Sequence, residues 1–143
     1  MKRFQPFHER GGDALFHLLD LEEERSRMGR QRGFAILRIE ARSAETVAEM
    51  LALYRAVAGA LRRSDRVQAV GGRALAAVLS DTGETQADAI GSRVRHALAM
   101  HGGRWRPLLG WACTRPERTH SWKDAWQTAG MLLTADGRVP AAA

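Results

Sequence analysis

Several residue types that mark particular protein classes are scarce in this sequence of 143 residues. A single cysteine, Cys113, excludes a disulfide framework and a thiolate metal site. No apolar run approaches the roughly 18–20 residues that a membrane-spanning helix requires. The first ten residues, MKRFQPFHER, also lack the apolar stretch of a signal peptide, so we expect a cytoplasmic protein.

Lysine is scarce as well, because all but two of the 22 basic residues are arginine. Against 16 acidic residues they give a net charge of +6, which favours an anionic partner such as phosphate, a nucleotide, nucleic acid or an acidic protein. A genome biased toward arginine and alanine would produce the same charge, so charge alone leaves both explanations open. The content of 45% hydrophobic and 27% charged residues is typical of a folded domain.

The spacing of apolar residues predicts eight elements in the order α-β-α-β-β-α-β-α. The helices are expected at about 14–27, 43–62, 84–100 and 121–133, with Asp13, Ser43 and Ser121 as caps of the first, second and fourth. The strands are expected at 34–40, 66–70, 74–79 and 105–114, and the first, apolar on both faces, should be central. This order predicts one α/β (α+β) domain over residues 1–143, a sheet covered by helices, with flexible termini at 1–12 and 136–143.

The segment LRRSDRVQAVGGRALAAVLSDT, residues 61–82, resembles the GGDEF domain of the diguanylate cyclase family. The resemblance rests on Arg-x-x-Asp at Arg62 and Asp65, five residues of strand, and the turn Gly71-Gly72. Downstream, LLGWA at 108–112 is similar to the Ser-Ile-Gly-x-Ala strand of the family, and AGMLLTADGR at 129–138 to its last helix and Gly-Arg-Asn tail. The letters GGDAL at 11–15 follow no strand and precede a helix, so they do not form this hairpin. The resemblance implies a nucleotide-cyclase-like, mostly antiparallel sheet.

The resemblance also implies that the catalytic acids of the family are missing. The family binds divalent metal through an acid at the end of the first strand and another at the third position of the turn motif. Here these positions hold Arg38 and Arg73, and the fourth motif position holds Ala74. Because Mg²⁺ needs oxygen ligands, we expect no metal, no cofactor and no cyclase activity. The two arginines could bind phosphate directly, be solvated, or pair with acids such as Glu40.

A second site of the family, the inhibitory site for cyclic di-GMP, is implied to survive. Arg62, Asp65 and Arg93, on the helix after the hairpin, match its positions. Guanidinium groups suit guanine and phosphate oxygens, and a carboxylate accepts guanine N–H groups. The expected function is a non-catalytic cyclic di-GMP receptor that passes the signal to a protein effector or forms a homodimer.

Two alternatives stay open at this point. Arg62 and Asp65 could form a local salt bridge of little energy in a nucleotide-independent interaction or dimerisation module. Nucleic-acid binding driven by charge is not expected as the main function, and it would depend steeply on salt.

The other residues with reactive or aromatic side chains predict no second site. The five histidines lack the spacing of metal ligands, and neither Ser121 nor Cys113 has an adjacent base. The four tryptophans are expected to pack in the core or at its edge rather than to stack on a base: Trp105, Trp111, Trp122 and Trp126.

Overall fold

The computed structural model describes residues 11–29, 33–115 and 121–135. Within these ranges the helices and strands follow one another in the predicted order. The helices are α1 (Gly11–Arg27), α2 (Val47–Ala60), α3 (Glu84–Ala99) and α4 (Ser121–Met131). The strands are β1 (Phe34–Ala41), β2 (Arg66–Ala69), β3 (Ala74–Ser80) and β4 (Pro107–Cys113). The predicted α+β architecture is therefore confirmed.

The strands form one antiparallel sheet in the order β2-β3-β1-β4. β1 is central, with Ile36 opposite Val78 of β3 on one side and opposite Ala112 of β4 on the other. β4 lies at an edge of the sheet. Pro107, its first residue, has no backbone N–H, and this loss is tolerated at the start of an edge strand.

Helices cover both faces of the sheet, and successive residues of β1 point to opposite faces. Leu37 and Ile39 belong to the core on the α2 and α3 side, together with side chains of those helices. Phe34 and Ile36 belong to the core on the other side, where Leu15 of α1 also packs. This double coverage explains why β1 is apolar along nearly its whole length. Trp105 and Trp122 are buried, Trp111 and Trp126 half-buried, and all four pack against protein, as expected.

The second helix begins later than predicted. Thr46, and not Ser43, is its N-cap, because Thr46 Oγ1 accepts the Glu49 backbone N–H at 3.1 Å. Ser43 donates its backbone N–H to the Trp105 carbonyl oxygen at 3.1 Å, which holds it in the preceding loop. The buried face of α2 consists of Met50, Leu53, Tyr54, Val57 and Ala60, whereas Val47 at its first position is 50% exposed.

Other boundaries differ by a few residues. α1 begins at Gly11, ahead of the predicted cap Asp13, and α4 begins at Ser121, whose hydroxyl accepts the Arg115 backbone N–H. β4 begins at Pro107 because Trp105 and Arg106 have φ of 69° and 46°, which a strand does not tolerate. The predicted flexible ends fall mostly outside the described residues. No helix in the described part of the chain has the length and apolarity to cross a membrane.

Candidate ligand site at the end of the second helix

Arg62 and Asp65 form a closed pair at the turn between α2 and β2. One carboxylate oxygen of Asp65 accepts the Arg62 backbone N–H at 2.8 Å, and the other accepts Arg62 Nη2 at 2.7 Å. Arg62 Nε lies 3.2 and 3.1 Å from the two oxygens, so guanidinium and carboxylate face each other edge to edge. Asp65 is 0% exposed, whereas the Arg62 side chain is 33% exposed. Arg62 is therefore the member of the pair that solvent or a ligand can reach.

Arg62 also links this turn to the end of β3. Its Nη2 donates to the Ser80 carbonyl oxygen at 3.1 Å and to Thr82 Oγ1 at 2.7 Å. The Thr82 hydroxyl in turn donates to the Ser80 carbonyl oxygen at 2.9 Å. The hydrogen bonds to Asp65 raise the pKa of Arg62, against the opposing effect of burial. Arg62 thus joins two turns that are 18 residues apart in sequence.

Arg93 reaches the same corner of the molecule from α3. Its Nε donates to the Ala60 carbonyl oxygen at 2.7 Å, at the last residue of α2 and two residues before Arg62. The carbonyls at a helix C-terminus lack partners within the helix, so this bond caps α2. The side chain of Arg93 is exposed. The structure thus brings Arg62 and Arg93 to one corner and places Asp65 below the surface.

Thr82 is a member of this cluster to which the sequence reasoning gave no role. It lies in the segment that resembles the family, two residues after the end of β3. Its contact with Arg62 depends on how the two turns approach each other, so no local pattern in the sequence indicates it.

The hairpin turn between β2 and β3 lies at the opposite end of these strands and requires glycine. Gly71 and Gly72 have φ of 71° and 33°, in the region that side chains disfavour. The Val70 backbone N–H donates to the Ala74 carbonyl oxygen at 2.9 Å and closes the hairpin. Arg73 is exposed, and its Nη1 donates to the Arg42 carbonyl oxygen at 3.1 Å. Arg73 therefore binds the neighbouring loop.

Arg38 lies between the sheet and α4. Its guanidinium carbon lies 4.1 Å from the centroid of the Trp126 ring, and Nη1 donates to the Trp126 carbonyl oxygen at 3.1 Å. Burial lowers the pKa of Arg38, with an opposing effect of Glu40. The cavity beside Arg38 and Ala74 measures about 50 Å³. Pockets for drug-sized ligands are roughly 300–1,000 Å³, so this cavity does not accommodate a nucleotide.

In the part of the chain that the structure describes, no group of three or more His, Cys, Asp or Glu side chains is arranged to hold a metal ion. Arg38 and Arg73, at the positions where the resemblance implies acids, are both engaged with backbone carbonyl oxygens instead.

The fold defined by these elements is that of the GGDEF domains of diguanylate cyclases. The active GGEEF domain of a diguanylate cyclase from Vibrio cholerae matches with a TM-score of 0.72 and 15% identity, over 90% of this chain and 89% of that one. The diguanylate cyclase SiaD from Pseudomonas aeruginosa, in complex with its activator SiaC, matches with a TM-score of 0.66 and 18% identity, over 82% of this chain. This chain spans about half of SiaD, 52% of its length.

A third similar structure is that of a microbial GGDEF domain with cyclic di-GMP. It matches with a TM-score of 0.59 and 12% identity, over 84% of this chain and 81% of that one. At these identities the similarity establishes the fold alone. No protein-family model matches the chain, and no curated protein matches it in sequence.

Proposed function

We propose that this chain is a non-catalytic domain of GGDEF fold that binds cyclic di-GMP at the corner formed by Arg62 and Arg93. The observation that carries the proposal is the meeting of the half-buried Arg62 and the exposed Arg93, which come from different elements, at the end of α2. A guanidinium offers paired donors that suit phosphate oxygens and the O6/N7 edge of guanine. The interaction of a microbial GGDEF domain with cyclic di-GMP supports this choice of ligand.

Asp65 acts in this proposal as a positioning residue. Its carboxylate is fully buried and already accepts both the backbone and the side chain of Arg62, so a ligand meets Arg62 first. The carboxylate fixes the plane of the Arg62 guanidinium, which would otherwise lose rotamer freedom on binding. Each charge-assisted hydrogen bond from the two arginines to the ligand would contribute about 1.5–3 kcal/mol.

The absence of catalysis is the second part of the proposal. Arg38 and Arg73 place positive charge where the resemblance implies metal-binding acids. Two unit charges about 4 Å apart interact by roughly 4 kcal/mol at an effective dielectric constant of 20, and a divalent ion doubles this repulsion. The cavity of about 50 Å³ at this position adds a steric reason.

The third part of the proposal is a protein partner that receives the signal. A P. aeruginosa diguanylate cyclase of the same fold forms a complex with its activator, which supports this expectation. The partner is either a separate effector or a second copy of this chain.

A second candidate function is a nucleotide-independent interaction or dimerisation module. The closed Arg62–Asp65 pair favours it, because a carboxylate that is 0% exposed and fully engaged serves the fold without any ligand. In that case both arginines would be structural, and cyclic di-GMP would not bind.

Calorimetric titration with cyclic di-GMP distinguishes the two functions. We expect the unmodified protein to bind with a Kd of about 10 µM or lower, and Arg93→Ala to weaken binding by roughly 10- to 100-fold, the loss of one charge-assisted bond. Arg73→Ala is the matched control, because it removes the same charge at the other end of the hairpin and should leave the Kd unchanged. Absence of binding at about 50 µM would overturn the receptor and favour the interaction module.

Catalysis is tested separately by incubation with GTP and Mg²⁺ or Mn²⁺. We expect no cyclic di-GMP from the unmodified protein. Formation of the dinucleotide at a rate proportional to the protein concentration would refute the second part of the proposal.

A further inference from the structure

The outer edge of β4 carries backbone groups that point away from the sheet. In an antiparallel pair, every second residue directs its N–H and C=O toward the neighbouring strand. Leu109 directs both groups outward, because it exchanges two hydrogen bonds of 3.0 Å with Thr134. Trp111 and Cys113 follow at the same phase, so their backbone groups also face outward. Neither has a backbone hydrogen-bond partner on this side among the described residues.

A cleft of about 350 Å³ lies beside this stretch of β4, between α3 and α4. We call it the β4 cleft. Trp111 is fixed at its wall, because its ring lies directly over Gly91 of α3 and its Nε1 donates to Asp88 at 2.8 Å. A Cβ atom at Gly91 would lie 2.6 Å from the Trp111 ring, which shows how closely the two elements approach. The edge strand is therefore held rigidly with its unpaired backbone toward the cleft.

Both side walls of the β4 cleft are acidic. Glu84 and Asp88 contribute from α3 and Asp124 from α4, and Arg115 is the one cation among the described residues that line the cleft. Within the described chain, neither Glu84 nor Asp124 has an ion-pair partner. The chain as a whole has a net charge of +6, so these negative walls are a local feature of the cleft. They favour a positively charged occupant.

We propose that the β4 cleft binds an extended, basic segment of a partner protein, which adds to the sheet as a strand beside Trp111 and Cys113. An added strand lies about 4.8 Å from the edge, and its successive side chains point to opposite faces. One side chain would point toward Glu84 and Asp88 of α3, and the next toward Asp124 of α4. The favoured sequence therefore has Lys or Arg at two consecutive positions between β-branched residues.

A second copy of this chain fits the cleft less well than such a segment. Pairing of two β4 edges about a two-fold axis would bring each acidic wall against the same wall of the other copy. Like charges in that arrangement oppose association. The described lining of the β4 cleft contains neither Arg62 nor Arg93, so the proposed binding does not require cyclic di-GMP.

The probe is the capped peptide acetyl-Thr-Val-Lys-Arg-Val-Thr-amide, titrated into ¹⁵N-labelled protein without nucleotide. We expect a Kd on the order of 100 µM, with the largest amide shifts at Trp111 and Cys113. Two N-methylated peptides, with alternate amides blocked in opposite phase, test backbone pairing at constant charge. Methylation of the amides that face β4 should weaken binding at least about 10-fold. The peptide with the other set of amides methylated should bind almost as well as the unmodified peptide.

The acidic walls are tested by the double variant Glu84→Gln/Asp124→Asn. It should weaken peptide binding about fivefold or more, whereas Glu24→Gln/Glu45→Gln, with the same change of charge at distant exposed positions, should not. Equal binding of both N-methylated peptides would overturn strand addition, and equal binding of a Glu-Asp version of the peptide would overturn the basic charge of the partner segment. Concentration-dependent dimers that the peptide does not displace would overturn the partner segment in favour of a second copy.

Discussion

Replacement of Asp65 tests whether the Arg62–Asp65 pair is required for the fold. Asp65 is fully buried and its two oxygens accept the Arg62 backbone N–H and the guanidinium. Removal of one partner from a buried ion pair costs about 3–5 kcal/mol. Because the Arg62 side chain is 33% exposed and water can solvate it, we expect a smaller loss, about 3 kcal/mol, for Asp65→Ala.

Asp65→Asn separates charge from hydrogen bonding. The side-chain oxygen of the introduced amide can still accept one hydrogen bond from Arg62, but its NH₂ group then faces another N–H donor of Arg62. We expect the free energy of unfolding to fall by about 2 kcal/mol. Arg62→Ala should cost about as much as Asp65→Ala, because it removes the guanidinium and leaves the buried carboxylate with the backbone N–H of residue 62 as its remaining hydrogen-bond donor in this pair. The double variant should be less unstable than the sum by about 2 kcal/mol, the coupling expected of contacting residues.

The assay is urea unfolding followed by tryptophan fluorescence. The control is Arg63→Ala, which removes an exposed neighbour of Arg62 and should change the free energy of unfolding by less than about 0.5 kcal/mol. A coupling energy near zero between positions 62 and 65, or an Asp65→Asn variant as stable as the unmodified protein, would refute the structural role of the pair.

Two further predictions concern the packing of β4 and its thiol. Gly110→Ala should destabilise the protein by about 3 kcal/mol, because a Cβ there overlaps the Ala129 carbonyl oxygen, whereas Gly59→Ala meets nothing within 4 Å and should stabilise by about 0.5–1 kcal/mol; urea midpoints check both, and equal midpoints would contradict the packing. Burial, with the charges of Glu84 and Asp88, raises the pKa of Cys113 to about 11. Its reaction with a disulfide reagent at about pH 8 should therefore be roughly 100-fold slower in native than in urea-unfolded protein. Since the folded pKa is the higher one, the associated stability is present below about pH 8.5 and is lost as pH rises toward 11; equal reaction rates would contradict this.

The order of the elements follows from the sequence because it depends on local periodicity. The glycine turn at Gly71 and Gly72 and the apolar strand at 34–40 are local signals, and both are present in the structure. The cap of α2 was predicted wrongly because Ser43 and Thr46 both have a suitable hydroxyl. The choice between them depends on the hydrogen bond from Ser43 to Trp105, which lies far away in sequence.

The candidate site was predictable in its composition and not in its geometry. Arg62, Asp65 and Arg93 follow from the resemblance, since their offsets from the glycine turn can be counted. The burial of Asp65 and its linkage through Arg62 to Thr82 require two turns to pack together, which no single-sequence pattern encodes. The sequence therefore names the residues, while the structure assigns Asp65 a position behind the arginine.

This arrangement makes position 93 a better indicator of a ligand site than positions 62 and 65. Arg62 and Asp65 would be retained in a chain that binds nothing, because their hydrogen bonds hold two turns together. Arg93 has a lesser structural duty, one bond to the last carbonyl of α2, which a lysine would also satisfy. Arg93→Lys should therefore leave the stability almost unchanged, while it replaces the forked guanidinium, which can pair with two acceptors of guanine or phosphate at once, by a point charge. Position 93, rather than the Arg-x-x-Asp motif, distinguishes a ligand site from a structural turn.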